Sequence, residues 1–377
     1  MNRRTFLTAA AATSSAVLLE GCNDGNRVAI DYSKHPKPDD TAAKTVHVNR
    51  GKKTELKLAT SWPAHFPIMG TGVDRFAERV AQISGGQLSI KLFPKNTLVP
   101  ALAVFDAASS GQIDGFHSGP YYWKGKNAAF SLFSGFPFGM TAEELNGWIL
   151  YGGGQELWRE LYGRYNLYPF AGGNTNIQMG GWFRKPIETL EDMNGLKMRI
   201  PGLGGEVMSK LGVNPVLLPA GEIYTSLERG VIDATEWVGP YLDMQMGFYK
   251  VAPYYYSGWH EPGSILEMTF SKHTWERLSG EQQAIIECAV NELNSTMTFE
   301  FQAKNAEAMA SLEANGVKLM RFPDAVTEAA KQALSEVIAE QSAQSSDFKR
   351  VFESAFAYLA KSKTFSDASL RYFLNVR

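Results

Sequence analysis

The sequence predicts an α/β protein of two lobes facing each other across a ligand cleft, finished by a long C-terminal helix. The main observation is an internal echo: SGQIDGFHSGPYYW, from Ser110 to Trp123, returns as RGVIDATEWVGPYL, from Arg229 to Leu242. Each copy has a glycine, one residue, Ile-Asp, a small residue and then, after a gap one residue longer in the second, Gly-Pro-Tyr. Each also follows an apparent helix, VFDAASSG and EIYTSLERG. Two related helix, turn and strand units predict two similar lobes; chance similarity of two short segments is the competing explanation. The second observation is a strand, helix, strand unit at the start of the folded part, and the third is a last third patterned as helix.

Ligands of open α/β sheets sit outside the carboxyl ends of the strands. The echo therefore places Tyr121, Tyr122 and Trp123 on one side of the cleft and Glu236 and Trp237 on the other.

The first residues read as an address, with domain bounds of 1–22 for an export signal and 23–53 for a polar linker. Arg3 and Arg4 precede Phe6, Leu7 and an alanine-rich run to Leu19 that is too short to span a bilayer, a layout similar to a twin-arginine signal. Cys22 after Gly21 resembles a lipoprotein cleavage site, which Glu20 fits poorly, so the expectation is an envelope protein, lipid-anchored through Cys22 or released. The linker carries scattered Pro and Lys, as a tether does.

Only Cys22 and Cys288 occur, so a disulfide framework within the folded part is excluded and a core must supply stability. Hydrophobic residues at 44% and aromatics at 12% are enough to build it. A net charge of −2 offers no field to attract nucleic acid.

The first lobe, 54–173, opens with the strand ELKLATSW, a Pro- and Gly-rich loop carrying His65, a helix with Phe76, Val80 and Ile83 on one face, and the strand QLSIKLFP. His65 could touch ligand from that loop, although a lone loop histidine is more often a solvated bystander. Thr141 with Glu144 makes a capping box. Gln178 and Met179 fall in an extended segment between Gly173 and Gly180, read as the crossing into the second lobe, 174–262. There Gln178 is an ordinary strand amide, a donor to ligand, or a carbonyl oxygen for a metal.

In NGLKMRIPG a short strand ends on Arg199 and runs into Pro201 and Gly202. A guanidinium at a strand mouth can hold a carboxylate through two parallel N–H bonds; a surface arginine paired with a neighbouring carboxylate reads equally well. Residues 263–377 are expected to return to the first lobe and end in helices. Ser279 with Gln282 caps one near 281–314, about 50 Å long, with Ile285, Ile286, Ala289, Val290, Leu293, Met297 and Phe301 in its stripe. Such a helix either braces both lobes or pairs with a second protomer, and Phe299, Phe301 and Met309, partly off the stripe, point to a homodimer. Cys288 beside the stripe reads as a small buried hydrophobe.

No GxSxG elbow, HExxH pair or GxxxxGK loop occurs, and the six histidines lack metal-ligand spacing. The plain reading is binding without catalysis.

RKPIETLEDMNGLKMRIPG, GEIYTSLERGVIDATEW and YKVAPYYYSGWHEPGS, in that order, resemble the substrate-binding proteins of tripartite ATP-independent periplasmic (TRAP) transporters, specifically the branch that binds 2-oxo acids. The similarity runs from about Leu56 to Leu319. It implies a periplasmic-binding-protein-like fold and a receptor that closes on a small carboxylate and delivers it to TRAP permease membrane subunits driven by a sodium gradient. It implies a carboxylate-clamping arginine at Arg199 and metal ligands at Gln178, Glu236, the Trp237 carbonyl and Glu261, with Gln178 also near substrate. Tyr122 and Trp123 would form the ring-lined wall. The sequence departs from the pattern at its lipoprotein-like start and at His260, where another aromatic is expected.

Charge supports the metal independently. Glu236 and Glu261 in a pocket for an anion would repel it, and a hard cation, Na⁺ or Ca²⁺, removes that conflict while chelating the carboxylate and adjacent keto oxygen. The alternative is that both glutamates pair with lysines outside the cleft. An exported metal-assisted enzyme, with Glu236 or Glu261 as general base, is the second function class.

Overall fold

The computed structural model describes residues 53–377. The expected export signal, Cys22 and all but the last residue of the linker lie outside the described residues.

The chain begins β1 (Thr54–Thr60), α1 (Met69–Ile83), β2 (Leu88–Phe93), α2 (Val104–Ser109) and β3 (Gly115–Ser118). A 3-10 turn over Pro120–Trp123 follows, then α3 (Phe130–Ser134), α4 (Ala142–Tyr151), α5 (Gly154–Gly163) and β4 (Leu167–Asn174). The second lobe runs β5 (Gly181–Phe183), β6 (Lys197–Arg199), α6 (Gly202–Lys210), β7 (Asn214–Val216), α7 (Ala220–Glu228), β8 (Ala234–Thr235), α8 (Pro240–Met246) and β9 (Tyr254–Tyr256). The chain closes with β10 (Ile265–Ser271), α9 (Lys272–Arg277), α10 (Gly280–Ala314), β11 (Lys318–Met320), α11 (Asp324–Gln344), α12 (Ser346–Ser366) and α13 (Tyr372–Val376).

The strands form two sheets, β2-β1-β3-β10-β4 and β11-β9-β5-β8-β6-β7. Each has a parallel trio, β2-β1-β3 and β7-β6-β8, flanked by an antiparallel strand, β10 on β3 and β5 on β8. The two halves of the sequence echo are the same step of chain in each sheet: a helix (α2, α7), a tight turn, a strand (β3, β8), and a Gly-Pro start to the next helical turn. A proline fits there because its missing N–H costs a helix nothing at the first position.

The site depends on where the chain changes lobes. It leaves the first sheet at the end of β4 and returns at the start of β10, and these points are register partners, Asn174 with Ile265. The two crossing segments therefore lie side by side: Thr175 N donates to Ser264 O at 2.9 Å and Gln178 N to Glu261 O at 3.0 Å. Gly258 permits this approach, since a Cβ there would sit 1.7 Å from the Gln178 carbonyl oxygen.

Both capping boxes form, Thr141 with Glu144 and Ser279 with Gln282. At 35 residues α10 spans about 52 Å. It packs on β4 and α1 of the first lobe and on α8 of the second, as a brace between lobes does. Phe301 is fully buried in that packing and Met309 half-buried, so neither is a free surface, while Phe299 is 70% exposed. Cys288 is exposed rather than buried, because it falls off the Ile285, Ile286, Ala289, Val290 stripe. Ile83, at the frayed end of α1, is likewise out of the core.

The last third serves both lobes instead of returning to the first alone. β11 pairs with β9 of the second sheet and α11 packs on α6, whereas α12 covers α3, α4 and α5. None of the described helices is long and apolar enough to cross a membrane.

Candidate functional site

Five segments converge between the sheets: the turn after β3, the strand ends of β6 and β8, and the two crossings. Arg199 ends β6 and Glu236 follows β8, its parallel neighbour, with Glu236 N bonded to Arg199 O at 2.9 Å. Parallel pairing thus presents both side chains at the carboxyl edge of the second sheet.

Arg199 is 1% exposed. Its Nη1 donates to the Glu236 carbonyl at 2.8 Å and to Glu236 Oε2 at 3.0 Å, its Nε reaches the Leu218 carbonyl at 3.4 Å, and its guanidinium lies 5.0 Å from the Trp237 ring centroid. The expected two-pronged fork is therefore partly occupied, and Nη2 is the arm without a partner among the described residues. Burial of a charge requires such pairing, and one side of the guanidinium serves the protein.

Glu236 Oε1 and Gln178 Oε1 are buried and accept no hydrogen bond from any of the described residues. The Gln178 amide is oriented by its own nitrogen, which donates to Thr175 Oγ1 at 2.9 Å, so the free atom is the acceptor. Met179 N bonds to Val238 O at 3.0 Å and Gly180 N to Tyr256 O at 2.8 Å, which ties this crossing to the loop carrying Glu236 and to β9. Burial, then the charge of Glu236, push the Glu261 carboxyl up to about 7, against the opposing pull of His260, Ser264 and Arg199. Burial likewise pushes the Tyr121 hydroxyl well above its usual range, with Tyr122, Glu261 and Glu236 adding to it.

Trp123 does not line the cleft. It is 2% exposed in the first-lobe core, against Phe105 and Phe116, and its indole N–H donates at 2.5 Å to Glu267 Oε1. A 3-10 turn advances about 120° per residue, so three consecutive side chains cannot all share one face. Tyr121 and Tyr122 face a cavity of about 330 Å³ shared with Ile200, Pro201, Gly202 and Val216. A larger cleft of about 590 Å³, lined by Arg184, Lys185, Asp192 and Asp233, contains none of the converging residues. His65 is outside the site too: it is exposed and bonded to Asp74 at 2.7 Å.

Sequence reasoning missed two supporting acids. Asp243 accepts from Trp182 Nε1 at 2.9 Å, Tyr255 Oη at 2.7 Å and Val238 N at 3.1 Å, and so fixes the loop behind Glu236. Glu267 holds Trp123 and accepts from Thr269 Oγ1 at 2.6 Å. Burial pushes both carboxyls up to about 7. The only signal for either was a carboxylate in an otherwise apolar stretch, ILEMTFS in the case of Glu267.

A hard cation fits the donors present. The orphaned oxygens of Gln178 and Glu236 are the acceptors it needs, Glu261 adds a carboxylate beside Glu236, and the Trp237 carbonyl follows directly in the chain. No cluster of three or more His, Cys, Asp or Glu side chains suited to a metal occurs among the described residues, so a cation here draws on amide and carbonyl oxygen as well.

Residues 58–345 match the family described as bacterial extracellular solute-binding protein, family 7. The chain is 38% identical over 356 residues, 94% of this chain and 92% of the relative, to a monocarboxylate 2-oxoacid-binding periplasmic protein of Nostoc sp.. It is similar to the crystal structure of a TRAP periplasmic solute binding protein from Colwellia psychrerythraea with bound calcium and pyruvate, at 42% identity and TM-score 0.84, covering 86% of this chain and 99% of that one. A second, from Pseudoalteromonas atlantica with bound sodium and pyruvate, is 40% identical with TM-score 0.84 over 86% of this chain and 100% of that one.

Proposed function

Because the chain belongs to bacterial extracellular solute-binding protein family 7, a family of periplasmic TRAP receptors and not of enzymes, we propose that its cleft closes on a 2-oxo monocarboxylate such as pyruvate, bridged to the protein by Ca²⁺ or Na⁺. It hands that acid to TRAP permease membrane subunits. Family membership removes the alternative of an exported metal-assisted enzyme.

The observation that carries the reading is the pair of orphaned acceptors, Gln178 Oε1 and Glu236 Oε1, beside the raised carboxyl of Glu261 and one arm's reach from Arg199 Nη2. In the assigned roles, Gln178, Glu236, the Trp237 carbonyl and Glu261 hold the metal, Arg199 takes the ligand carboxylate, and Tyr122 forms the wall. The calcium, sodium and pyruvate bound in the two similar structures support a site that takes a cation and a 2-oxo acid together. The cation supplies a second anchor, for the keto oxygen.

Metal and acid then bind with positive coupling of about 1–3 kcal/mol, reciprocal by linkage. Calorimetric titration of pyruvate and propionate into metal-free and Ca²⁺-loaded protein measures it. Stripping the metal should weaken pyruvate far more than propionate, which lacks the second oxygen. Equal dependence for both acids would make the cation structural and sink the bridge.

A homodimer is the second interaction supported by an observation, now on a different helix. Phe365, Leu370, Tyr372, Phe373, Leu374 and Val376 are all exposed on the terminal helical turns, 42% to 75%. An apolar run of that length seeks cover, and a second copy can supply it. Sedimentation of the full-length protein and of a chain ending at residue 364 should show dimer and monomer; monomer for both removes the idea. Lipidation at Cys22 would add a membrane tether, and radiolabelled palmitate incorporated by the wild type but not by Cys22→Ser would establish it.

A further inference from the structure

We infer that His260 is a specificity-determining residue of the cleft, whose imidazole donates to the carboxylate of the bound acid alongside the one arm that Arg199 has free. The inference rests on the proposed function and assigns it a second anion contact.

A planar carboxylate offers two oxygens with about four acceptor sites, so a chelated cation and a single guanidinium arm leave room for a further donor. Arg199 spends Nη1 on the Glu236 carbonyl and Oε2, and Nε on the Leu218 carbonyl, so it has only Nη2 to give. A further donor must come from another side chain. His260 is 1% exposed and neither Nδ1 nor Nε2 has a hydrogen-bond partner among the described residues. A buried imidazole with two idle nitrogens is costly in a folded protein unless a ligand completes it.

Its place is the right one. His260 sits on the return crossing between Trp259 and Glu261, with Nε2 3.5 Å from the orphaned Glu236 Oε1, too long for a good hydrogen bond. Trp259 stacks on Phe138 with centroids 5.4 Å apart, which anchors the segment. On the other side the backbone of α6 comes so close that a Cβ on Gly204 would lie 3.3 Å from the His260 Cβ. The residue is thus held from both sides, on the lobe-crossing segment, within the charge cluster of Arg199 and Glu236.

The test uses the full-length, Ca²⁺-loaded protein with pyruvate as probe. His260→Phe should weaken pyruvate about 10- to 100-fold, the value of one charge-assisted hydrogen bond, while Ca²⁺ affinity measured without acid stays within about twofold. His260→Gln, which keeps an N–H near the Nε2 position, should recover most of the loss. Circular dichroism and melting of both variants check folding, and the glutamine variant keeps the proposal testable if the phenylalanine one fails to fold. Wild-type pyruvate affinity in His260→Phe would overturn the inference. So would a loss matched by an equal loss of Ca²⁺ affinity, which would make His260 a support for Glu236 only. Wild-type protein that binds no 2-oxo acid would instead fail the proposed function, before any variant is compared.

Discussion

Arg199 shows how a single side chain is committed before ligand arrives. With Nη1 held by Glu236 and the ring of Trp237 beneath it, the guanidinium is locked in one rotamer, and its free arm needs no reorganisation to bind. Arg199→Lys keeps the charge but cannot bridge Glu236 and a ligand at once, because an ammonium is a compact point charge without a planar fork. Pyruvate affinity by calorimetry should fall by about 2–5 kcal/mol, the range for truncating a buried charge pair; near-normal affinity in a folded variant would remove Arg199 from the site. At this scale the sequence revealed residue types better than directions. Gly-Pro-Tyr-Tyr-Trp announced an aromatic corner, yet which ring faces the cleft depends on the 3-10 pitch, and Trp123 turned inward to Glu267. The pairing of Arg199 with Glu236, 37 residues apart, depends on strand register, which no local pattern encodes.

Elements whose cause is local were legible. Capping boxes at Thr141 and Ser279 involve residues three apart, and both formed. The repeated Gly-x-Ile-Asp step was legible for the same reason, since helix, turn and strand are contiguous in each copy. What escaped was pairing at a distance. VKLMRFP reads as a strand, but only the fold shows that β11 adds to β9 and so ties the C-terminal third to the second lobe. The crossings depend on such a distant contact at Gly258. Gly258→Ala puts a methyl 1.7 Å from the Gln178 carbonyl, and the two segments must part. Stability should drop by about 1–3 kcal/mol, as overpacking does, read as a lower denaturation midpoint in urea. Calcium affinity should fall with it, because Gln178 and Glu261 ride on those segments. An unchanged midpoint with full calcium binding would show that the crossings carry no strain and move independently of the site.

At the scale of the whole molecule, an ion pair joins the lobes beside the cavity and buried carboxyls in the core set the dependence of stability on pH. Lys124, at the first-lobe turn, meets Glu206 on α6 of the second lobe at 2.6 Å, so the lobes touch beside the cavity mouth. Ligand-free protein should populate a more open form, and scattering with and without pyruvate and Ca²⁺ should show the radius of gyration falling on binding; an unchanged radius with binding confirmed would mean a preformed pocket. Sensitivity to rising pH follows from Glu261, Glu267 and Asp243, each pushed up to about 7 by burial. A carboxyl raised above its unfolded value binds more protons when folded, so its contribution is full below about pH 4 and is lost as pH rises through about 7. His117 opposes this: burial holds it down at about 4, so its contribution grows with pH until the unfolded value near 6.5. Above pH 6.5 that opposition is spent and the carboxyls dominate, each on the order of 1 kcal/mol between pH 6 and 8. Metal-free protein should therefore melt at a lower temperature at pH 8 than at pH 6. Saturating Ca²⁺ holds Glu261 ionised at both pH values and flattens the slope, and Glu267→Gln removes a further share of it. A metal-free melting temperature that stays level or rises from pH 6 to pH 8 would show that these carboxyls are ionised in the fold, stabilised by partners stronger than the burial that opposes them.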